Sequence, residues 1–162
     1  MIEHLQSHSA TTPFLLDHKK SPLRFPSPAV PPRLPKSAGH PLCTFVIDDE
    51  TGIADSLMEI LNGNGYEAVA FYDGQSAIES ARQRCPDLVL ADVMMPRLNG
   101  VETVIAIRNI CRRTRIVLFS GQAGTVDLLE SARARGYEFE LLAKPIHPDK
   151  LLKKLADFKK PS

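Results

Sequence analysis

The chain has no apolar run near the ~18 residues needed to cross a bilayer, so nothing in it reads as a membrane span. Its start, Met1-Ile2-Glu3-His4, lacks both the basic-then-apolar order and the small-residue cleavage site of a secretory signal. Charge of one sign is missing too. The 20 Lys and Arg offset the 19 Asp and Glu to within +1, which argues against bulk attraction to nucleic acid or membrane. Cysteine is scarce: Cys43, Cys85 and Cys111 show no CxxC spacing. An odd count without a secretion signal is expected to mean reduced thiols in the cytoplasm, each packed as a small hydrophobe.

What is present is ordinary for one globular domain with a tail. The 162 residues are 43% apolar and 24% charged. Residues 1–41 stand apart. They carry eight of the 13 prolines and His4, His8, His18 and His40. Pro22, Pro26, Pro28, Pro31, Pro32 and Pro35 leave no room for a helix or a paired strand, so a disordered or polyproline-II tail is expected. With five basic and two acidic residues the tail is mildly positive. Its PxxP matches are weak in any Pro-rich segment, and its scattered histidines are expected to be uncoordinated.

From Leu42 the pattern alternates. Cys43 to Ile47 is a β-branched apolar run, followed by Ile53, Leu57, Ile60 and Leu61 at helical spacing. Asn62-Gly63-Asn64-Gly65 stops that helix. Glu67 to Phe71 reads as a second strand, and Asp73 as the cap of a helix that reaches Arg84. Leu88 to Ala91 reads as a third strand, with Val101, Val104, Ile105 and Arg108 on the next helix. Arg115 to Phe119 reads as a fourth strand; Val126, Leu129 and Ala132 mark a fourth helix. Phe139 to Ala143 reads as a fifth strand, and Leu151, Leu152, Leu155 and Phe158 as a last helix begun by Pro148. Five strand–helix units imply an α/β fold. The expectation is a flavodoxin-like, doubly wound, five-stranded parallel sheet in the order 2-1-3-4-5 with five helices.

The polar residues of interest all follow strands: Asp48 and Asp49 the first, Asp92 the third, Ser120 the fourth and Lys144 the fifth. In a parallel sheet these are all carboxyl ends, and so one edge. Asp48 or Asp49 alone reads as a helix cap, and Lys144 alone as a solvated side chain. A pair of acids facing Asp92 reads differently, because three close carboxylates repel unless a cation joins them. Oxygen-only ligands point to Mg²⁺, with Mn²⁺ as the alternative, rather than zinc. An ammonium and a hydroxyl beside them suit phosphoryl transfer onto a carboxylate.

Residues 42–160 closely resemble the receiver domain of two-component response regulators. The matching stretches are Val46-Ile47-Asp48-Asp49-Glu50, Asp92-Val93-Met94-Met95-Pro96 with Gly100, Phe119-Ser120-Gly121 and Lys144-Pro145. The resemblance implies that Asp92 accepts a phosphoryl group from a sensor histidine kinase or a histidine phosphotransfer protein. It implies Mg²⁺ held by Asp48, Asp49 and Asp92 with the backbone carbonyl of Met94. Lys144, next to a cis peptide at Pro145, would bind the phosphoryl group, and Ser120 would swing onto it. It also implies a signalling phosphoacceptor that assists its own phosphorylation and dephosphorylation, not a turnover enzyme. Output would pass by protein contact through the fourth helix and fifth strand, without nucleic acid or membrane. The chain is accordingly expected to be a cytoplasmic, single-domain regulator, since little follows the fifth helix.

Two departures from the family pattern matter. The usual Tyr or Phe three residues before the Lys is Leu141, so the moving aromatic is missing unless Phe139 or Tyr137 replaces it. Met94 and Gln122 occupy positions that influence access of water to the phosphoryl group, so slow self-dephosphorylation is expected. Two other classes compete. An aspartate-dependent phosphohydrolase would need an acid two residues after the nucleophile, where Met94 stands. A phosphorylation-independent scaffold would not need the intact acid set.

Overall fold

The computed structural model describes residues 40–121 and 125–159. The expected tail therefore lies outside the described residues, apart from His40 and Pro41. Strands β1 (Leu42–Ile47), β2 (Tyr66–Phe71), β3 (Leu88–Asp92), β4 (Arg115–Ser120) and β5 (Glu140–Ala143) alternate with five helices. These are α1 (Thr51–Gly63), α2 (Gly74–Gln83), α3 (Gly100–Ile110), α4 (Thr125–Ala134) and α5 (Pro148–Lys159). All pairings are parallel and the order is β2-β1-β3-β4-β5, the doubly wound arrangement expected.

The continuous apolar runs have a simple cause. Successive side chains of a strand face opposite ways, and both faces of this sheet are covered. Cys43, Phe45, Ile47, Val89, Ala91, Ile116 and Leu118 pack into one core with Ala77, Ile78 and Ala81 of α2 and Val101, Val104, Ile105 and Ile107 of α3. Val46, Leu88, Leu90, Val117 and Phe119 pack into the other, with Ala54, Leu57 and Leu61 of α1 and Leu151 and Leu155 of α5. Local caps fix the helix starts. Asp73 Oδ1 accepts from the Ser76 amide at 2.8 Å, and Asn99 Oδ1 from the Glu102 amide at 2.9 Å.

Several boundaries and faces differ from expectation. The buried stripe of α1 is Ala54, Leu57 and Leu61, so Ile53 and Ile60 are left half-buried. On α4 the buried residues are Thr125 and Ala132, and Val126, expected on the core face, is exposed. Ala132 is buried and Leu129 packs against the core as expected, so Val126 alone of the three falls outside the buried face. Phe139 precedes β5 instead of opening it.

The cysteines require a correction. Cys85 and Cys111 form a disulfide, with Cα atoms 5.6 Å apart and a sequence separation of 26. Cys85 follows α2 and Cys111 caps the carboxyl end of α3, and these two helices pack side by side. Only the tertiary packing of α2 on α3 brings them together. Cys43 carries no disulfide and is buried as a small hydrophobe, as expected. For a closed loop of this length, chain entropy assigns the bond about 3 kcal/mol. Urea unfolding of the parent should therefore weaken by that amount on adding reductant, and the Cys85→Ser/Cys111→Ser variant should be as weak without it. A parent whose midpoint ignores reductant would show the bond is not formed in solution.

Candidate functional site

The register brings the polar residues together. Ile47 of β1 pairs with Ala91 of β3, so Asp48 lies beside Asp92. Asp92 pairs with Phe119, and Ser120 with Ala143, which puts Ser120 and Lys144 one step further along the same edge. Backbone bonds continue the ladders past the strands: Asp48 donates to Phe71, Val93 to Phe119 and Lys144 to Ser120, at 2.9–3.1 Å.

Gly100 closes the far side. Its amide donates to the Val93 carbonyl at 2.9 Å, and an added Cβ would come within 1.8 Å of the Asp92 backbone oxygen. The start of α3 can lie against the end of β3 only because that residue has no side chain.

Asp48 is fully buried and Asp92 nearly so. A buried carboxylate is costly unless paired. Asp48 Oδ1 accepts from the Glu50 amide at 2.9 Å, and its Oδ2 accepts from Lys144 Nζ at 3.0 Å. The same ammonium lies 3.3 Å from Asp92 Oδ2 and 5.3 Å above the Phe119 ring. One oxygen from each of Asp48, Asp49 and Asp92 falls within 4.8 Å of the others. Asp49 is the most solvent-open of the three. The donors are all carboxylate oxygens at the mouth of a cleft, a set that fits a hard divalent cation.

Electrostatics agree with the geometry. Burial pushes the Asp92 carboxyl above its usual range. The Lys144 charge opposes this, Asp48 adds to it, and the Met94 amide, donating to Asp92, opposes it again. Burial alone would lower the Lys144 ammonium, but its bond to Asp48 and the charges of Asp48 and Asp92 outweigh that and raise it.

Ser120 is buried, and its Oγ shares a hydrogen bond with the Thr125 hydroxyl at the start of α4. Nothing in the sequence singled out Thr125. Leu141 is exposed. Both candidate replacements are engaged with other residues: the Tyr137 hydroxyl donates to Asn109 Oδ1 at 2.9 Å, and Phe139 stacks on Tyr137. The Lys144–Pro145 peptide is cis. Gln122 lies outside the described residues. Beside the site a largely apolar groove of about 570 Å³ runs between α1 and the turn before α5, lined by Ile53, Leu57, Ile60, Lys144, Pro145 and Ile146. The half-buried Ile53 and Ile60 belong to it.

Residues 44–156 match the family model described as the response regulator receiver domain. The chain belongs to that family. The DNA-binding response regulator MtrA of Mycolicibacterium paratuberculosis is 30% identical over 114 residues, 67% of this chain and 47% of that protein. This chain thus spans about half the length of the first such relatives. Chemotaxis protein CheY of Bacillus subtilis is 28% identical over 109 residues, covering 67% of this chain and 89% of that one. Among solved structures, Vibrio cholerae chemotaxis protein CheY4 is similar at a TM-score of 0.65 and 28% identity, covering 72% of this chain and 98% of that one.

An acid whose pKa is higher folded than unfolded holds its proton more tightly when folded. Its charge therefore costs stability as pH rises from the unfolded value through the folded one. Without divalent cations at neutral pH, the receiver with Asp92→Asn should be more stable than the parent by about 1 kcal/mol. Thermal melts at falling pH should show that advantage shrink as the parent's carboxyl takes up its proton. An advantage that stays constant or grows toward acid would mean Asp92 is not the strained group.

Proposed function

We propose that Asp92 accepts a phosphoryl group from a sensor histidine kinase or a histidine phosphotransfer protein, and that the product signals through protein contacts. The observation that carries this reading is the Lys144 ammonium within reach of both Asp48 and Asp92 beside a third carboxylate. An Asp92 oxygen attacks phosphorus as the donor's P–N bond breaks, and the donor ring, already protonated on its other nitrogen, leaves as neutral imidazole. Lys144 moves from carboxylate to phosphoryl oxygen as charge builds there. Asp48, Asp49 and Asp92, with the Met94 carbonyl, would hold Mg²⁺ or Mn²⁺, which neutralises the crowded acids and the incoming phosphoryl oxygens. Ser120 donates a hydrogen bond to the bound phosphoryl group.

The groove beside Lys144 supports docking of the donor, since it offers apolar surface within reach of the acceptor. Exposed Val126 on α4 and Leu141 on β5 support an output face there. Exposed Met94 supports slow self-dephosphorylation, because a thioether cannot polarise a water as an acid or amide would. The same residue stands against a phosphohydrolase, so we read the chain as a phosphoacceptor and not a turnover enzyme. Among the described residues no helix is long and apolar enough to cross a membrane. We place the chain in the cytoplasm with its donor and without direct nucleic-acid contact. DNA binding is stated for MtrA, of which the matched residues make up 47%.

Intact-mass measurement after acetyl phosphate and Mg²⁺ should show one added phosphoryl group on the parent and none on Asp92→Asn. Lys144→Ala should still label, about a hundredfold more slowly. Labelling of Asp92→Asn to the same extent would place the acceptor elsewhere.

A further inference from the structure

The Ser120 hydroxyl is the group expected to meet a phosphoryl group on Asp92, and here it hydrogen-bonds to a hydroxyl on a helix. Ser120 Oγ and Thr125 Oγ1 share a hydrogen bond in which either atom can be the donor, and both residues are buried. The aromatic route from β5 is not built: Leu141 has no ring, the Tyr137 hydroxyl is used by Asn109, and Phe139 lies against Tyr137. Thr125 is the first residue of α4.

We infer that Thr125 is a positioning residue that directs the Ser120 proton, coupling phosphorylation of Asp92 to the first turn of α4. This rests on Asp92 being the phosphoacceptor. A hydroxyl has one hydrogen and two acceptor sites. When Ser120 donates to Thr125, its hydrogen is spent and cannot reach a phosphoryl oxygen. When Thr125 donates to Ser120, that hydrogen is released toward the phosphoryl group. The pair therefore has two directions, and a negatively charged acceptor beside Ser120 selects the second. The resulting chain, Thr125 to Ser120 to phosphoryl oxygen, strengthens each of its bonds by polarisation. Ser120 sits one register step beyond the strand partner of Asp92, at the same carboxyl edge of the sheet. As Ser120 turns to that group, Thr125 and the first turn of α4 follow through the shared bond. Loss of the Thr125 hydroxyl removes both the directing donor and the link to α4.

The probe is beryllium trifluoride with Mg²⁺, titrated into the full chain while ¹⁵N–¹H shifts of Asp127–Ala134 are followed. The parent should bind and shift these amides. Thr125→Val, which keeps the shape and removes the hydroxyl, should need about fivefold more beryllium fluoride at half-saturation, the factor that one hydrogen bond of about 1 kcal/mol gives. Its α4 shifts should fall by half or more. Thr125→Ser, which restores the hydroxyl, should recover both. On a Ser120→Ala background the Thr125→Val effect should vanish, closing a double-mutant cycle. Thr125→Ala supplies a second hydroxyl deletion should the Val variant not fold.

Parental affinity with full α4 shifts in Thr125→Val would overturn the inference, and so would tighter binding by that variant. Loss in Thr125→Ser equal to that in Val would make the role one of packing and overturn it as well. A parent that neither binds the probe nor labels with acetyl phosphate would instead sink the phosphoacceptor reading, and this inference with it.

Discussion

The site depends on one ammonium between two buried carboxylates. Asp48 is sealed from solvent, and its carboxylate would be costly there without Lys144 Nζ at 3.0 Å. The same cation lies 3.3 Å from Asp92. Residues 96 apart in sequence are joined by that contact, so neither local propensity nor any single motif could create it. Strand order does. With β1 beside β3 and β5 two strands beyond, the carboxyl ends of three strands converge within the reach of a lysine side chain. Removing the cation would leave two acids facing each other at low dielectric, so the integrity of the site rests on Lys144.

The strands were legible because β1, β3 and β4 are buried on both faces, which writes an unbroken apolar run into the sequence. Asp48, Asp92 and Ser120 were legible because each ends such a run, and Lys144 because it follows the shorter edge strand β5. What was not legible depends on rotation and packing. Val126 was assigned inward and lies outward, because α4 buries only Thr125 and Ala132 and so carries a weak periodic signal. Ile53 and Ile60 fit the helical spacing of α1, yet the stripe is rotated onto Ala54, and they line a groove instead. The disulfide required knowing that the end of α2 meets the end of α3. Thr125 required knowing which hydroxyl Ser120 touches.

The two sides of the site are packed differently, and that difference bears on how a change at Asp92 would travel. On the β1–β3 side every strand residue from Cys43 to Ile47 and from Leu88 to Asp92 is buried, and Gly100 abuts the Asp92 backbone. A packed core resists displacement, because any shift opens voids or forces overlaps. On the other side β5 is an edge strand with no fully buried residue, and Leu141 and Val126 face solvent. Few apolar contacts oppose movement there. A new charge on Asp92 would draw Lys144 and Ser120 toward it. Lys144 belongs to the turn after β5, and Ser120 is tied to α4 through Thr125. The rearrangement would therefore be taken up by β5 and α4, the elements that bear the exposed apolar residues, while β1 and β3 keep the acids in place.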